Sequence, residues 1–312
     1  MIPLIAIIDY PGAQGAAVLG LRDLLQVADR LAGAPGRAPA LEVRILTMTN
    51  GLPALDRRLD ALVLPPALGG DLPRDSGGEL SPWLRARHRE GTLLCSVCAG
   101  AALLADTGLL AGRPATTHWA LKARFNERFP DVRLDTDRLL VDDGDLITAG
   151  GLMAWVDLGL RLVQRYLGAT AMLAAARHFL VDPGGREQRF YSTFAPALGH
   201  GDSAILRVQQ WLQGHSGEHL DITGLAAQAR LGERTFLRRF QRATGQRPTE
   251  YLQHLRVGKA RELLEHSDRA IDDIAWTVGY QDPGAFRKVF LRLIGLTPGE
   301  YRRRFVLAEM PP

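Results

Sequence analysis

Two constellations in the chain have the residue types and spacing of chemistry. The first is CSVCAGAALLA at residues 95–105, where Cys98 ends an apolar run and is followed by Ala99, Gly100, Ala101 and Ala102. Small residues at a strand-to-helix bend let the backbone turn sharply and carry a nucleophile at its apex. A thiol at a helix N-terminus gains from the dipole as thiolate. Twenty residues on, ATTHW offers His118 as a base, and a Cys and a His become a dyad when the fold joins them. The plainer reading of a His after a strand is a hydrogen-bonded structural residue. Cys95 and Cys98 also form a CxxC pair, a redox signal in a cytosolic protein. Cys95, inside the apolar run, reads equally as a small buried hydrophobe.

The second constellation is a repeat of period fifty. Phe236, Phe240, Gly245, Pro248 and Tyr251 recur as Phe286, Phe290, Gly295, Pro298 and Tyr301. Just upstream, Ile222, Leu225, Ala226 and Ala229 match Ile271, Ile274, Ala275 and Val278 with an offset of 49. Each copy reads as a short helix, a tight turn and a second helix. At about 100° per residue, Phe236 and Phe240 lie opposite Arg234, Arg238 and Arg242. In the second copy Phe286, Val289, Phe290 and Leu293 form the packing stripe, with Gly284, Lys288 and Arg292 outward. A basic helix presented this way suits the DNA major groove, where Arg and Lys reach guanine edges or neighbouring phosphates. The bland alternative is two solvated basic faces, which the matched register of the stripes argues against.

The elements that must position these residues fall into two groups. Over the first 180 residues, β-rich runs at Leu4–Ile8, Val43–Thr47, Ala61–Leu64 and Leu93–Val97 alternate with helical patterns at Ala17–Leu31, Glu79–Arg89, Ala99–Asp106 and Trp119–Phe129. That alternation predicts an α/β sandwich with a parallel sheet between helical layers. From Leu152 to Leu180 the pattern is helical, and Asp182, Pro183, Gly184 and Gly185 open a stretch of turn formers that runs to Gly201. Beyond it only helices are predicted: Ala204–Gln213, Ile222–Ala229, Arg234–Ala243, Pro248–His266, Ile271–Val278, Pro283–Ile294 and one from Pro298. The expected domains are therefore 1–181, a linker at 182–201, and 202–312. Trp119, Trp155 and Trp276 are expected to pack.

Bulk properties agree. A length of 312 residues suits two domains. The net charge of +4 lies entirely in the C-terminal part: residues 1–200 hold 21 basic and 21 acidic side chains, residues 201–312 hold 17 and 13. A basic bias in one domain favours a polyanionic partner. Two cysteines are too few for a disulfide framework, and MIPLIAIID lacks the basic start of a signal peptide, so a cytoplasmic setting is expected. The longest nearly uncharged stretch, Thr92 to Ala105, is too short to span a bilayer. Neither a glycine-rich phosphate loop nor a metal-ligand cluster is present, and no cofactor is expected.

The run from Asp202 to Phe305, with ERTFLRRFQRATGQRPTEYL and IAWTVGYQDPGAFRKVFLRLIGLTPGEYRRRF, closely resembles the AraC family DNA-binding domain. The resemblance implies base contacts from Arg234, Leu237 and Arg238 and from Pro283, Gly284 and Lys288, with Arg242, Arg287 and Arg292 on the same DNA-facing surface. Pro283 and Gly284 have no side-chain donors, so the second reader would mainly position the protein on phosphate. Residues 1–170 resemble the PfpI-like, class I glutamine amidotransferase-like superfamily, a flavodoxin-like α/β fold. RPATTHW and VDDGDLITAGG fit the GlxA-type branch of AraC regulators, where that fold precedes the DNA-binding domain.

The resemblance implies a ligand-responsive transcription regulator with double-stranded DNA, an unidentified small-molecule effector and RNA polymerase as partners, acting as a homodimer. Cys98, Ala99, His118, Ala17 and Ala67 would line the effector pocket. Two departures bear on catalysis: superfamily enzymes carry a carboxylate where Ala17 stands, and their Pro-Gly-Gly turn reads Pro65, Pro66, Ala67 here. Three readings of Cys98 stay open at this point: a sensing elbow, a cysteine-dependent enzyme of amidase, hydratase or glyoxalase type, and a thiol redox sensor.

Overall fold

A computed structural model describes residues 2–33, 36–48, 51–52, 55–75 and 78–306. The chain divides into two compact units, 1–188 and 189–312. The division falls inside the stretch of turn formers expected as linker.

The first unit is built on a six-stranded sheet. β1 (Leu4–Asp9), β2 (Glu42–Thr47), β3 (Ala61–Leu64) and β4 (Leu93–Val97) are joined by β7 (Leu140–Asp142) and β8 (Leu146–Ala149), in the order β2-β1-β3-β4-β8-β7. A small second sheet pairs β5 (Pro114–Ala115) with β6 (Arg133–Leu134). Every residue of β3, β4 and β8 is buried, as strands covered on both faces require. α1 (Gly15–Leu31), α5 (Trp155–Leu167) and α6 (Ala169–His178) share one apolar core with the sheet. α2 (Leu80–Arg89), α3 (Ala101–Asp106) and Phe125 of α4 (Lys122–Arg128) share the other.

One expectation needs correction: the sheet is not wholly parallel, because β7 runs antiparallel to β8. The turn between them is made by Asp143 and Gly144, with Gly144 at φ +89° and its N–H donating to Asp142 Oδ1. That D-D-G-D turn closes a hairpin between two runs of three or four residues, too short to show alternation.

The second unit is all-helical, with each half of the repeat building its own core. α7 (Ser203–His215), α8 (Ile222–Ala229) and α9 (Glu233–Thr244) enclose Phe236, Phe240 and Tyr251. α11 (Ile271–Thr277), α12 (Pro283–Ile294) and α13 (Pro298–Phe305) enclose Phe286, Phe290 and Tyr301. α10 (Pro248–His266) contributes to both cores. The repeated residues have repeated jobs. Gly245 and Gly295 end α9 and α12 in the left-handed region, at φ +74° and +81°. Pro248 and Pro298 open the next helices, where a missing N–H costs nothing. Tyr251 and Tyr301 stand edge-on to Phe240 and Phe290, at 5.3 and 5.6 Å between ring centres.

The chain just before α7 belongs to this unit. Phe194 stacks on His254 at 4.7 Å, Tyr191 meets Phe305 edge-on, and Arg261 donates to the carbonyl of Ser192. Among the described residues no helix is long and apolar enough to cross a membrane, and no cluster of metal-ligating side chains is present.

Candidate functional site

α9 separates packing from polar chemistry along its length. Phe236 and Phe240 are fully buried, whereas Arg234, Leu237, Arg238, Gln241 and Arg242 are exposed. Among the described residues, Arg234, Arg238 and Arg242 form no ion pair or hydrogen bond, so three guanidinium groups stand in a row with their donors unspent. Arg239, one position off the row, turns back to the Asp202 carboxylate that caps α7, with contacts of 2.7 and 2.8 Å. The pair holds the Asp202 carboxyl below its ordinary range.

α12 presents the same register with a different surface. Asp282 caps it, accepting from the N–H groups of Gly284 and Ala285, so those donors are already spent. Arg287 is paired with Asp272, and Arg292 donates to Gln253 Oε1 at 2.6 Å. Lys288 is exposed and, among the described residues, unpaired. Pro283 and Gly284 sit half-buried at the first turn. Trp276 on α11 corrects an expectation, since it is 56% exposed rather than packed. α11 is seven residues long, too short for its wheel to show a stripe.

The turn inside each helix-turn-helix needs a left-handed residue. In the first copy Arg230 supplies it at φ +56°; in the second Gly279 does at φ +96°. A Cβ on Gly279 would lie 2.6 Å from the carbonyl oxygen of Gly217, so only glycine fits there.

In the first unit Cys98 sits at the carboxyl end of β4, the end at which open α/β sheets place their sites. Its φ of +53° is the sharp bend expected from the sequence. Gly100 follows at the only size the packing allows, because a Cβ there would lie 2.5 Å from the Pro65 carbonyl oxygen. Cys98 and Ala99 are each 3% exposed, Ala17 is fully buried, and Ala67 is half-buried. Burial pushes the Cys98 thiol up to about 11, and the N–H of Ala99 offsets this only partly. Cys95 is wholly buried in β4 and its thiol is pushed higher still. Both cysteines are free thiols.

His118 makes no hydrogen bond to Cys98. Its Nδ1 accepts from the backbone N–H of Ala120 at 3.1 Å, and burial lowers its pKa below the ordinary histidine value. The group that does reach the elbow is its neighbour: Thr117 Oγ1 donates to the Cys98 carbonyl at 2.7 Å. Tyr10 closes the other side, donating to the Pro65 carbonyl at 2.6 Å. Neither residue had a motif of its own, although Thr117 lies in the ATTHW run that pointed to His118.

Two family descriptions match the chain, a helix-turn-helix domain over residues 225–304 and the DJ-1/PfpI family over residues 53–165. The HTH-type transcriptional regulator CdhR of Pseudomonas aeruginosa is 28% identical over 239 residues, covering 75% of this chain and 70% of that protein. The HTH-type transcriptional regulator GlxA of Rhizobium meliloti is 28% identical over 242 residues, covering 73% and 74%. Among solved structures, the DNA-binding domain of AdpA in complex with a target DNA is similar to 33% of this chain and 92% of that one, at 38% identity and a TM-score of 0.32.

Fold and site thus define a two-domain protein, a DJ-1/PfpI-type α/β unit followed by an AraC-type helix-turn-helix unit. The chain is similar to HTH-type transcriptional regulators such as GlxA and CdhR and is a DNA-binding transcription regulator.

Proposed function

We propose that α9 reads base edges through Arg234, Leu237 and Arg238 with Arg242 on phosphate, while α12 places the protein on the backbone through Lys288 with Arg287 and Arg292, around a first turn formed by Pro283 and Gly284. The observation that carries this reading is the row of three unspent guanidinium groups on α9, against the tethered arginines of α12. An unpaired Arg at the groove can make the bidentate contact to guanine that specifies sequence. An Arg held by a neighbouring carboxylate must give up that pair first. At 1.5 Å per residue α10 measures about 28 Å, a length that suits two readers in adjacent major grooves roughly 34 Å apart.

The α/β unit is the sensor: a small molecule acting at the elbow bordered by Cys98, Ala99, Ala17, Ala67 and His118 shifts the population of DNA-competent states. The regulator works as a homodimer, because one such domain offers a single asymmetric footprint. Cys98 senses without catalysing. With the thiol pushed up to about 11, on the order of one in ten thousand is ionised at pH 7. His118 has its Nδ1 committed to the backbone, and Ala17 supplies no carboxylate. Footprinting the full chain on the DNA upstream of its own gene, for wild type and Cys98→Ser, tests this. Protection of paired adjacent grooves and an effector response should survive the substitution. Turnover of amide, nitrile or 2-oxoaldehyde substrates by wild type but not by Cys98→Ser would establish the enzyme instead. Loss of only an oxidant response would establish the redox sensor.

A further inference from the structure

Gln188 is the last residue of the first unit, and Arg189 begins the second. Its side chain is buried, with the residue only 2% exposed, although it lies in the stretch expected as linker. A buried carboxamide must find partners for its donors and its acceptor, and this one finds them all. Nε2 lies 3.0 Å from Thr116 Oγ1 and 2.9 Å from the carbonyl oxygens of Thr117 and Arg138. Oε1 accepts from the N–H of Trp119 at 3.1 Å, and the backbone N–H of Gln188 donates to Asp137 at 2.9 Å. A Cβ on Gly150 would lie 1.9 Å from Nε2, so the carboxamide fills the space a side chain at 150 would take.

These partners lead to the elbow. Thr117 holds the carbonyl of Cys98 through its hydroxyl. Ala149, just before Gly150, pairs with Val97, just before Cys98. The elbow keeps a left-handed backbone that a non-glycine residue holds only where its surroundings over-determine it. One hydrogen-bonded network therefore fixes both the strained elbow and the point where the chain leaves for the DNA-binding unit. The grip is short. Arg186 pairs with Asp157 and the backbone of Glu187 forms an antiparallel β-bridge with that of Arg138, but Pro183, Gly184 and Gly185 border a cavity of about 380 Å³.

The geometry points to Gln188 as a positioning residue that couples the elbow to the DNA-binding unit. It is a latch that lets go of residues 186–188 when Thr116 and Thr117 move, and whose removal loosens the elbow in return. This rests on the reading that the α/β unit governs DNA binding, but its test needs neither effector nor DNA, so the two can fail separately.

The test uses the full chain and two rates: alkylation of Cys98 by iodoacetamide, with Cys95 as the internal control, and tryptic cleavage after Arg186 and Arg189. Gln188→Glu keeps the shape but sets an acceptor oxygen against three acceptors. Both rates should rise roughly tenfold, the size expected from losing a buried hydrogen bond, with Cys95 unchanged. Thr117→Val should do the same, the double variant should add little, and Thr117→Ser, which keeps the hydroxyl, should behave as wild type. The Val and Ser pair carries the test if Gln188→Glu does not fold. Faster cleavage with unchanged Cys98 alkylation would make Gln188 a local staple and overturn the coupling. Two unchanged rates would reduce the network to packing, with the same result.

Discussion

α9 and α12 are two copies of one helix, alike inside and different outside. Inside, each sets two phenylalanines against a tyrosine from the following helix and stops at a left-handed glycine. Outside, among the described residues, α9 offers three cations without partners, while α12 offers one free Lys and two arginines tied to Asp272 and Gln253. The packing face fixes how each helix is presented, whereas on the proposed assignment a handful of surface residues decides whether it reads sequence or holds phosphate. The interior likeness and the exterior difference can be broken separately.

The largest effect should come from the shared interior. Phe240→Ala and Phe290→Ala each remove a fully buried ring and should each cost about 3 to 5 kcal/mol of helix-turn-helix stability. Urea unfolding would check this. A loss confined to one copy would mean that the two cores are not equivalent.

A smaller effect separates the two turns. Gly279→Ala puts a Cβ against the Gly217 carbonyl in a backbone that disfavours it, and should cost roughly 1 to 3 kcal/mol. Arg230→Gly relieves a left-handed non-glycine residue and should stabilise by roughly 0.5 to 1 kcal/mol. Thermal melts of both variants would sharpen the comparison, and destabilisation by Arg230→Gly would show that the Arg side chain matters to the fold.

The smallest effect concerns pH and the α/β unit. Burial lowers the His118 pKa, so between its folded value and the ordinary value near 6.5 the unfolded chain binds the extra proton. The contribution is present above about 6.5 and is lost as pH falls through the folded value. Melting midpoints should drop by roughly a degree or two more on acidification to pH 5 in wild type than in His118→Gln. An equal drop in both would assign the pH dependence elsewhere.

Much of this was legible in the sequence because local chemistry and fold agree. Gly245, Pro248 and their repeats punctuate the helices, and the continuous apolar runs of β1, β3 and β4 mark strands buried on both faces. The bend at Cys98 follows from the small residues after it. What stayed hidden depends on residues far apart in the chain. Gln188 and Thr116 are 72 positions apart, and nothing periodic announces a lone Gln among turn formers. The Cys98–His118 dyad was a matter of spacing alone, and the structure gives Nδ1 to Ala120 instead. Nor does a composition count reveal that Arg239 is spent on Asp202 while Arg238 has no partner among the described residues.

The difference between the two readers is best tested by measuring the affinity of Arg238→Ala and Lys288→Ala, side by side, for operator and for unrelated DNA across a salt series. Arg238→Ala should lose about 1 to 3 kcal/mol on the operator and far less on unrelated DNA, with preference relaxed at one base pair. Lys288→Ala should weaken both DNAs alike and reduce the salt slope by about one. Equal losses on both DNAs for Arg238→Ala, or an operator-specific loss for Lys288→Ala, would contradict the assignment of reading to α9 and positioning to α12.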